Sequence, residues 1–148
     1  MKLLHILLFA LVSLATLSSG GCAANCTSCQ RAQERNRRPL EGNAWHLHQI
    51  NGRTLPMHDA PTELLFSEAE HTFRCTGRAA GLRGEWRQIE AEMELHFAVD
   101  QTSVVGEDPL RGELAEVLSA TNVYAMDGDM LILMHDNRLL AVLQAVAN

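Results

Sequence analysis

Residues 123–145, with the sequence VYAMDGDMLILMHDNRLLAVLQA, decide the fold. Short apolar runs alternate here with pairs or triplets of turn-forming residues, a pattern that predicts consecutive antiparallel strands. The last two runs are apolar at successive positions, which predicts strands that are covered on both faces. The three predicted strands span residues 123–126, 130–135 and 138–145, and their turns are Asp127-Gly128-Asp129 and Asp136-Asn137.

The same pattern of alternation continues upstream. Asn51-Gly52 is a strong hairpin signal, and residues 53–61 read as a loop because Pro56 and Pro61 interrupt them. Strands are predicted over residues 44–50, 62–66, 71–76, 85–89 and 93–99.

One segment has helical rather than strand periodicity. Asp108 suits an N-cap, Pro109 suits the first helical position, and Leu110, Leu114 and Leu118 then recur on one helical face. The sequence therefore predicts a helix over residues 109–119. Together the elements predict an α+β domain, a curved antiparallel β-sheet or partial barrel with one helix packed on it.

The first 21 residues read as a signal peptide. Lys2 precedes an apolar run over residues 3–17, and small residues lead to Cys22. The run would span about 22 Å as a helix, short of the ~30 Å hydrocarbon core. Gly20-Gly21-Cys22 resembles the end of a lipobox, although Ser19 stands where an aliphatic residue is usual. We therefore expect lipidation of Cys22, including palmitate; the alternative is cleavage near Ala24 and a soluble periplasmic or secreted protein.

Residues 22–41 are expected to be an Arg-rich linker behind the lipidated cysteine. Ala23 favours the outer membrane, with the domain facing the periplasm. The linker arginines would lie near anionic head groups, or would simply keep a solvated linker extended. Cys26 and Cys29 are spaced to form a disulfide in a small loop, whereas Cys75 lies in an apolar alternating stretch and is expected to be a buried thiol.

The charge balance disfavours nucleic acid as a partner. After the leader, eleven Arg face eighteen Asp and Glu, a net charge of −7, and from Gly42 onward seven Arg face sixteen acids, or −9. Phosphate contacts supply most non-specific nucleic-acid affinity, and an acidic domain repels phosphates.

The order of several motifs resembles the META domain family, which includes the HslJ-like heat-shock lipoproteins. The likeness covers nearly all of residues 42–146, within a predicted domain of residues 42–148. It is carried by the opening Gly42, Trp45 and Asn51-Gly52, by the run Leu64-Leu65-Phe66, and by a late series. That series is a Glu113-led helix, Tyr124, and Gly128-Asp129-Met130-Leu131-Ile132-Leu133. The family's Gly-Cys-Asn and Thr-x-x-x-Cys segments are missing here, so no disulfide is carried over from it. The resemblance implies a small α+β domain, a non-enzymatic envelope lipoprotein and a role in the stress response.

Two histidines offer an alternative. His46 and His48 lie two apart on a predicted strand, so their rings would share a face and could hold Zn²⁺ or Cu²⁺ with a third ligand from a neighbouring strand. His96 or His135 could supply that ligand. The competing interpretation is that these are polar residues on a solvated strand face.

The sequence shows no catalytic constellation and predicts no enzyme activity and no cofactor. The leading hypothesis is an outer membrane lipoprotein that is anchored through Cys22 and binds a partner protein or lipid in envelope stress tolerance. The alternative is a periplasmic metal-binding protein that uses His46 and His48.

Overall fold

The computed structural model describes residues 38–56 and 60–147, and these form an eight-stranded antiparallel β-barrel with one helix packed on it. The α+β class predicted from the sequence is confirmed, and the partial barrel is a closed one. The strands are β1 (Asn43–Ile50), β2 (Arg53–Thr54), β3 (Glu63–Ser67), β4 (Thr72–Cys75), β5 (Arg83–Ile89), β6 (Glu94–Val99), β7 (Val123–Asp127), β8 (Met130–His135) and β9 (Arg138–Ala147).

Closure comes from the pairing of the first strand with the last. The barrel order is β1-β3-β4-β5-β6-β7-β8-β9, and β9 returns to β1 along a register from Asn43↔Ala147 to Ile50↔Ala141. Strand β2 is a two-residue extension that pairs with the end of β1, within a segment that the sequence predicted to be loop. Asn51 and Gly52 both have positive φ, 48° and 77°, as their dipeptide predicted for the hairpin turn.

Helix α1 (Pro109–Ala120) packs against β6 and lies beside the β1–β2 hairpin at one end of the barrel. Its N-cap is Asp108, whose carboxylate accepts a hydrogen bond from the backbone N–H of Leu110 at 2.9 Å. Glu113 accepts hydrogen bonds from Asn51 in the β1–β2 turn and from Arg53 of β2, which fastens the helix to the barrel rim. The buried helix residues Leu110, Leu114, Ala115, Val117 and Leu118 join the single hydrophobic core.

The opposite end is closed by the segment that leads into β1. Leu40 is 2 % exposed, and its carbonyl oxygen accepts a 2.7 Å hydrogen bond from Nε1 of the buried Trp45. Asn43 donates to the carbonyl of Pro39 at 2.9 Å. Leu40, which the sequence assigned to the linker, therefore belongs to the core of the barrel. The helices of the described residues include none long and apolar enough to cross a membrane.

Candidate functional site

The two candidate metal-ligating histidines lie on β1, but a β-bulge separates them. The register on β9 passes from Leu47↔Leu143 directly to Gln49↔Val142, so His48 is the extra residue of the bulge. The regular alternation that the sequence predicted across His46 and His48 is interrupted at this point.

His46 belongs to a side-chain network with β3. Its Nε2 atom lies 2.8 Å from Oε1 of Glu63, and Oε2 of Glu63 accepts a 2.9 Å hydrogen bond from Oγ1 of Thr76. Strand β1 pairs with β2, β3 and β9, so neither His96 on β6 nor His135 at the end of β8 comes from a neighbouring strand. Within residues 38–56 and 60–147, no group of three His, Cys, Asp or Glu side chains is placed to hold a metal ion.

A cavity of about 160 Å³ lies beside these histidines, which is close to the volume that admits a benzene-sized molecule. Its wall combines apolar and polar residues: His46, Leu47, His48, Leu55, Pro56, Ala60, Pro61, Thr62, Arg78 and Leu110. The Arg78 guanidinium donates to both carboxylate oxygens of Asp108, at 2.8 and 3.0 Å. That hydrogen bond lowers the pKa of Asp108 and raises the pKa of Arg78. Two polar groups of the cavity, His46 and Arg78, are therefore already paired with carboxylates.

The interior of the barrel is filled by side chains. The largest of them are at most 2 % exposed: Trp45, Phe73, Leu95, Leu131, Leu133 and Leu143. Aromatic rings pack edge to face beneath β3–β6, for example Phe73 against Phe97 with centroids 5.3 Å apart. A ligand inside the barrel would have to displace this core.

The outer surface of β7, β8 and β9 is mostly apolar, with Asp127 and Gln144 as polar neighbours of Met130. Strand β8 alternates between inward Leu131 and Leu133, which are fully buried, and outward side chains that are half-buried. We name the outward set the apolar face: Val123, Ala125, Met130, Ile132, Met134, Leu139 and Val142. Among the described residues, none of these seven belongs to the hydrophobic core or packs against it. Leu139 is 41 % exposed.

Cross-strand pairing joins six of the seven residues in two apolar rows, while Met130 lies between Asp127 and Gln144. Val123 pairs with Met134, which pairs with Leu139, and Ala125 pairs with Ile132, which pairs with Val142. These rows place apolar side chains next to one another across three strands. The prediction that the last two strands are covered on both faces therefore holds only for their inner side.

The outer surface of β4, β5 and β6 has the opposite character. We name it the charged face; its members are Thr72, Arg74, Arg83, Glu85, Arg87, Glu94, His96 and Ala98, with the half-buried Ile89 opposite Glu94. Arg74 pairs directly with Arg83 across the strands, and Arg83 lies 3.2 Å from Asp100. Exposed ion pairs of this kind contribute little to stability, so this face is suited to solvent.

Of the four cysteines, one lies within the described residues. Cys75 is buried and carries a free thiol, as the sequence predicted, and burial raises its pKa to about 12. A thiol with so high a pKa holds little nucleophilic thiolate at neutral pH. Cys22 and the pair Cys26 and Cys29 lie outside the described residues, as does the predicted signal peptide.

Comparisons with known proteins support the fold alone. No family model matches the chain, and no curated protein matches it. The chain is similar to the crystal structure, at 1.00 Å resolution, of a DUF4847 family protein from Bacteroides vulgatus ATCC 8482. The TM-score is 0.53 at 15 % sequence identity, and the likeness covers 74 % of this chain and 94 % of that one.

Proposed function

We propose that this chain is a non-enzymatic envelope lipoprotein, anchored to the outer membrane through Cys22, whose barrel binds a partner protein in the periplasm. The leader and its Gly20-Gly21-Cys22 ending support the anchor, and the META-like motif order supports a role in envelope stress tolerance. The apolar face is the observation that carries the binding function, because folding alone does not require outward apolar side chains on three adjacent strands.

The filled interior favours the outer wall over the barrel lumen as the binding surface. Removing buried side chains such as Leu131 or Leu133 from the core to admit a ligand would cost several kcal/mol each (roughly 2–5 for a Leu→Ala truncation). The cavity beside β1 is a less suitable site for a charged ligand, because Arg78 would first have to leave Asp108.

The anchor is tested by mass spectrometry of the mature N-terminus. We expect a diacylglyceryl Cys22 with a further acyl chain, and a Cys22→Ala variant that fractionates as a soluble protein. An unmodified N-terminus near Asn25 in the wild-type protein would contradict the anchor.

The binding function is tested by photo-crosslinking in cells. A photoreactive amino acid is placed at Leu139 on the apolar face and, as the matched control, at Arg87 on the charged face; both residues are exposed. We expect one adduct of defined mass from position 139 and none from position 87. Adducts from position 87 alone would show that the partner binds on the other side of the barrel.

A further inference from the structure

The way in which β8 is paired restricts the kind of partner that the apolar face can bind. Strand β8 is hydrogen-bonded to β7 on one edge, from Val123↔Met134 to Asp127↔Met130, and to β9 on the other, from Met130↔Gln144 to His135↔Arg138. Its backbone groups are used along its whole length, so a partner strand cannot add to it. Binding has to proceed through side chains that lie on the face.

The dimensions of the face match one α-helix. Three neighbouring strands are about 10 Å wide, and the run from Met130 to Met134 is about 13 Å long. A helix is about 10 Å in diameter and rises about 11 Å in two turns. An apolar stripe at positions i, i+4 and i+7 of a helix would therefore lie along Met130, Ile132 and Met134.

The area is too small for a second copy of the barrel. Each outward position occupies about 33 Å² in the plane of a sheet, so the seven residues cover about 230 Å² of that plane. A stable dimer buries about 800 Å² on each partner. A single helix is an occupant of the appropriate size, and the flexible side chains of Met130 and Met134 can adapt to it.

The charges around the face indicate the charge of the occupant. Asp127 and Asp129 lie at one end of β8, and Asp136 at the other, while Arg138 is an exposed cation beside Asp136. Residues 38–56 and 60–147 carry sixteen acids and eight Arg, a net charge of −8. A second copy and an anionic lipid surface would both be repelled, whereas a basic helix would be attracted.

We propose that the apolar face is the docking site for an amphipathic helix of a partner protein, with about two turns of apolar stripe flanked by Lys or Arg. Ile132 lies at the centre, and Asp127, Asp129 and Asp136 face the basic flanks. The inference rests on the proposed function in that it names the partner element which the barrel binds.

The test uses the mature full-length chain with Cys22→Ala, so that no detergent is needed, and three synthetic helices of about 18 residues, long enough to fold in water. The first carries the leucine stripe flanked by lysines, and the second carries the same stripe flanked by glutamates. The third carries the same lysines with its leucines dispersed around the helix. Binding is measured by fluorescence anisotropy.

We expect only the first peptide to bind, and we expect Ile132→Asp to weaken its binding at least about tenfold, or 1.4 kcal/mol. Ala98→Asp, which adds the same charge to the charged face, should change the affinity less than about twofold. The carboxylate added by Ile132→Asp attracts a cationic peptide, so a loss of peptide affinity in this variant cannot be caused by its charge. Circular dichroism checks folding, and Leu139→Gln, at an exposed position, provides a second variant with little risk to the fold.

Several outcomes would overturn the proposal. The first is binding of all three peptides or of none, and the second is peptide binding that Ile132→Asp and Leu139→Gln leave unchanged. The third is self-association in sedimentation that Ile132→Asp abolishes. The fourth is binding to phosphatidylglycerol vesicles that Ile132→Asp abolishes. The last two would assign the face to a second copy or to lipid. If the peptides fail while Leu139 still crosslinks to an envelope protein, partner binding stands and only the helical docking mode is wrong.

Discussion

The apolar face and the charged face are outer walls of the same barrel and rest on the same core. On β5, inward Trp86 alternates with outward Glu85 and Arg87, as expected of a strand with one solvated face. On β8, inward Leu131 and Leu133 alternate with outward Met130, Ile132 and Met134. A barrel strand folds with polar outward residues, as β5 does, so the apolar outward residues of β8 require another explanation.

That explanation has to offset the disadvantage of exposed apolar surface. Contiguous apolar side chains on the outside of a sheet favour aggregation, and a bound partner would remove them from water. Since β8 is paired on both edges, its backbone is protected, and the side chains alone define what binds. We therefore propose the apolar face, rather than the charged face, as the binding surface.

The largest expected effect separates the two sides of β8. Leu131→Ala removes a fully buried side chain and should lower the free energy of unfolding by about 2–5 kcal/mol. Ile132→Gln, one residue away on the outer side, should lower it by no more than about 1 kcal/mol. Urea denaturation measures both. Equal losses would mean that the apolar face is part of the folding core.

A second effect concerns the packing beneath the charged face. A Cβ at Gly84 would overlap the carbonyl oxygen of Ala98 and would lie 2.8 Å from a ring carbon of Phe73. Gly84→Ala should therefore lower the free energy of unfolding by about 1–3 kcal/mol. Gly112 in helix α1 has open space around it, and Gly112→Ala should stabilise by about 0.5–1 kcal/mol. Thermal unfolding shows whether each substitution raises or lowers the Tm. An unchanged Tm for Gly84→Ala would show that β5 and β6 are not packed closely at this position.

The smallest effect tests an ion pair that belongs to neither face. Hydrogen bonds from Arg78 and from the Leu110 backbone lower the pKa of Asp108. The folded pKa lies below the unfolded one, so this stabilisation is present above about pH 4 and is lost as the pH falls through the folded pKa. Asp108→Asn should therefore have a lower urea midpoint than the wild type at pH 7, and the two midpoints should converge in acid. If the difference between the two urea midpoints were the same at low pH, the charge of Asp108 would not contribute to stability.

Much of the fold could be predicted because its signals are local. Alternation located the strands to within about two residues, and Asp108 with Pro109 located the start of the helix. Three features depend on contacts distant in sequence and were not predicted: the closure of β1 on β9, the bulge at His48, which is set by the register on β9, and the burial of Leu40 beneath Trp45.

The candidate site was harder to predict than the fold. Two histidines on one strand are a visible motif, yet the bulge and the pairing of His46 with Glu63 leave them without a third ligand among the described residues. The apolar face had a signal in the sequence, the doubly apolar β8 and β9, but that pattern is typical of strands buried on both sides. Helix α1 does not cover the outer side of β8, because it packs against β6 instead. The sequence pattern does not indicate which strand the helix packs against.

Methionine-methyl NMR tests the central claim most directly, because methionines lie both on and off the apolar face. Met130 and Met134 point outward on β8, while Met93 and Met126 pack against the core. When the lysine-flanked leucine peptide is titrated into the chain, we expect the methyl signals of Met130 and Met134 to shift together and those of Met93 and Met126 to stay in place. Shifts at Met93 and Met126 without shifts at Met130 and Met134 would contradict binding on the apolar face.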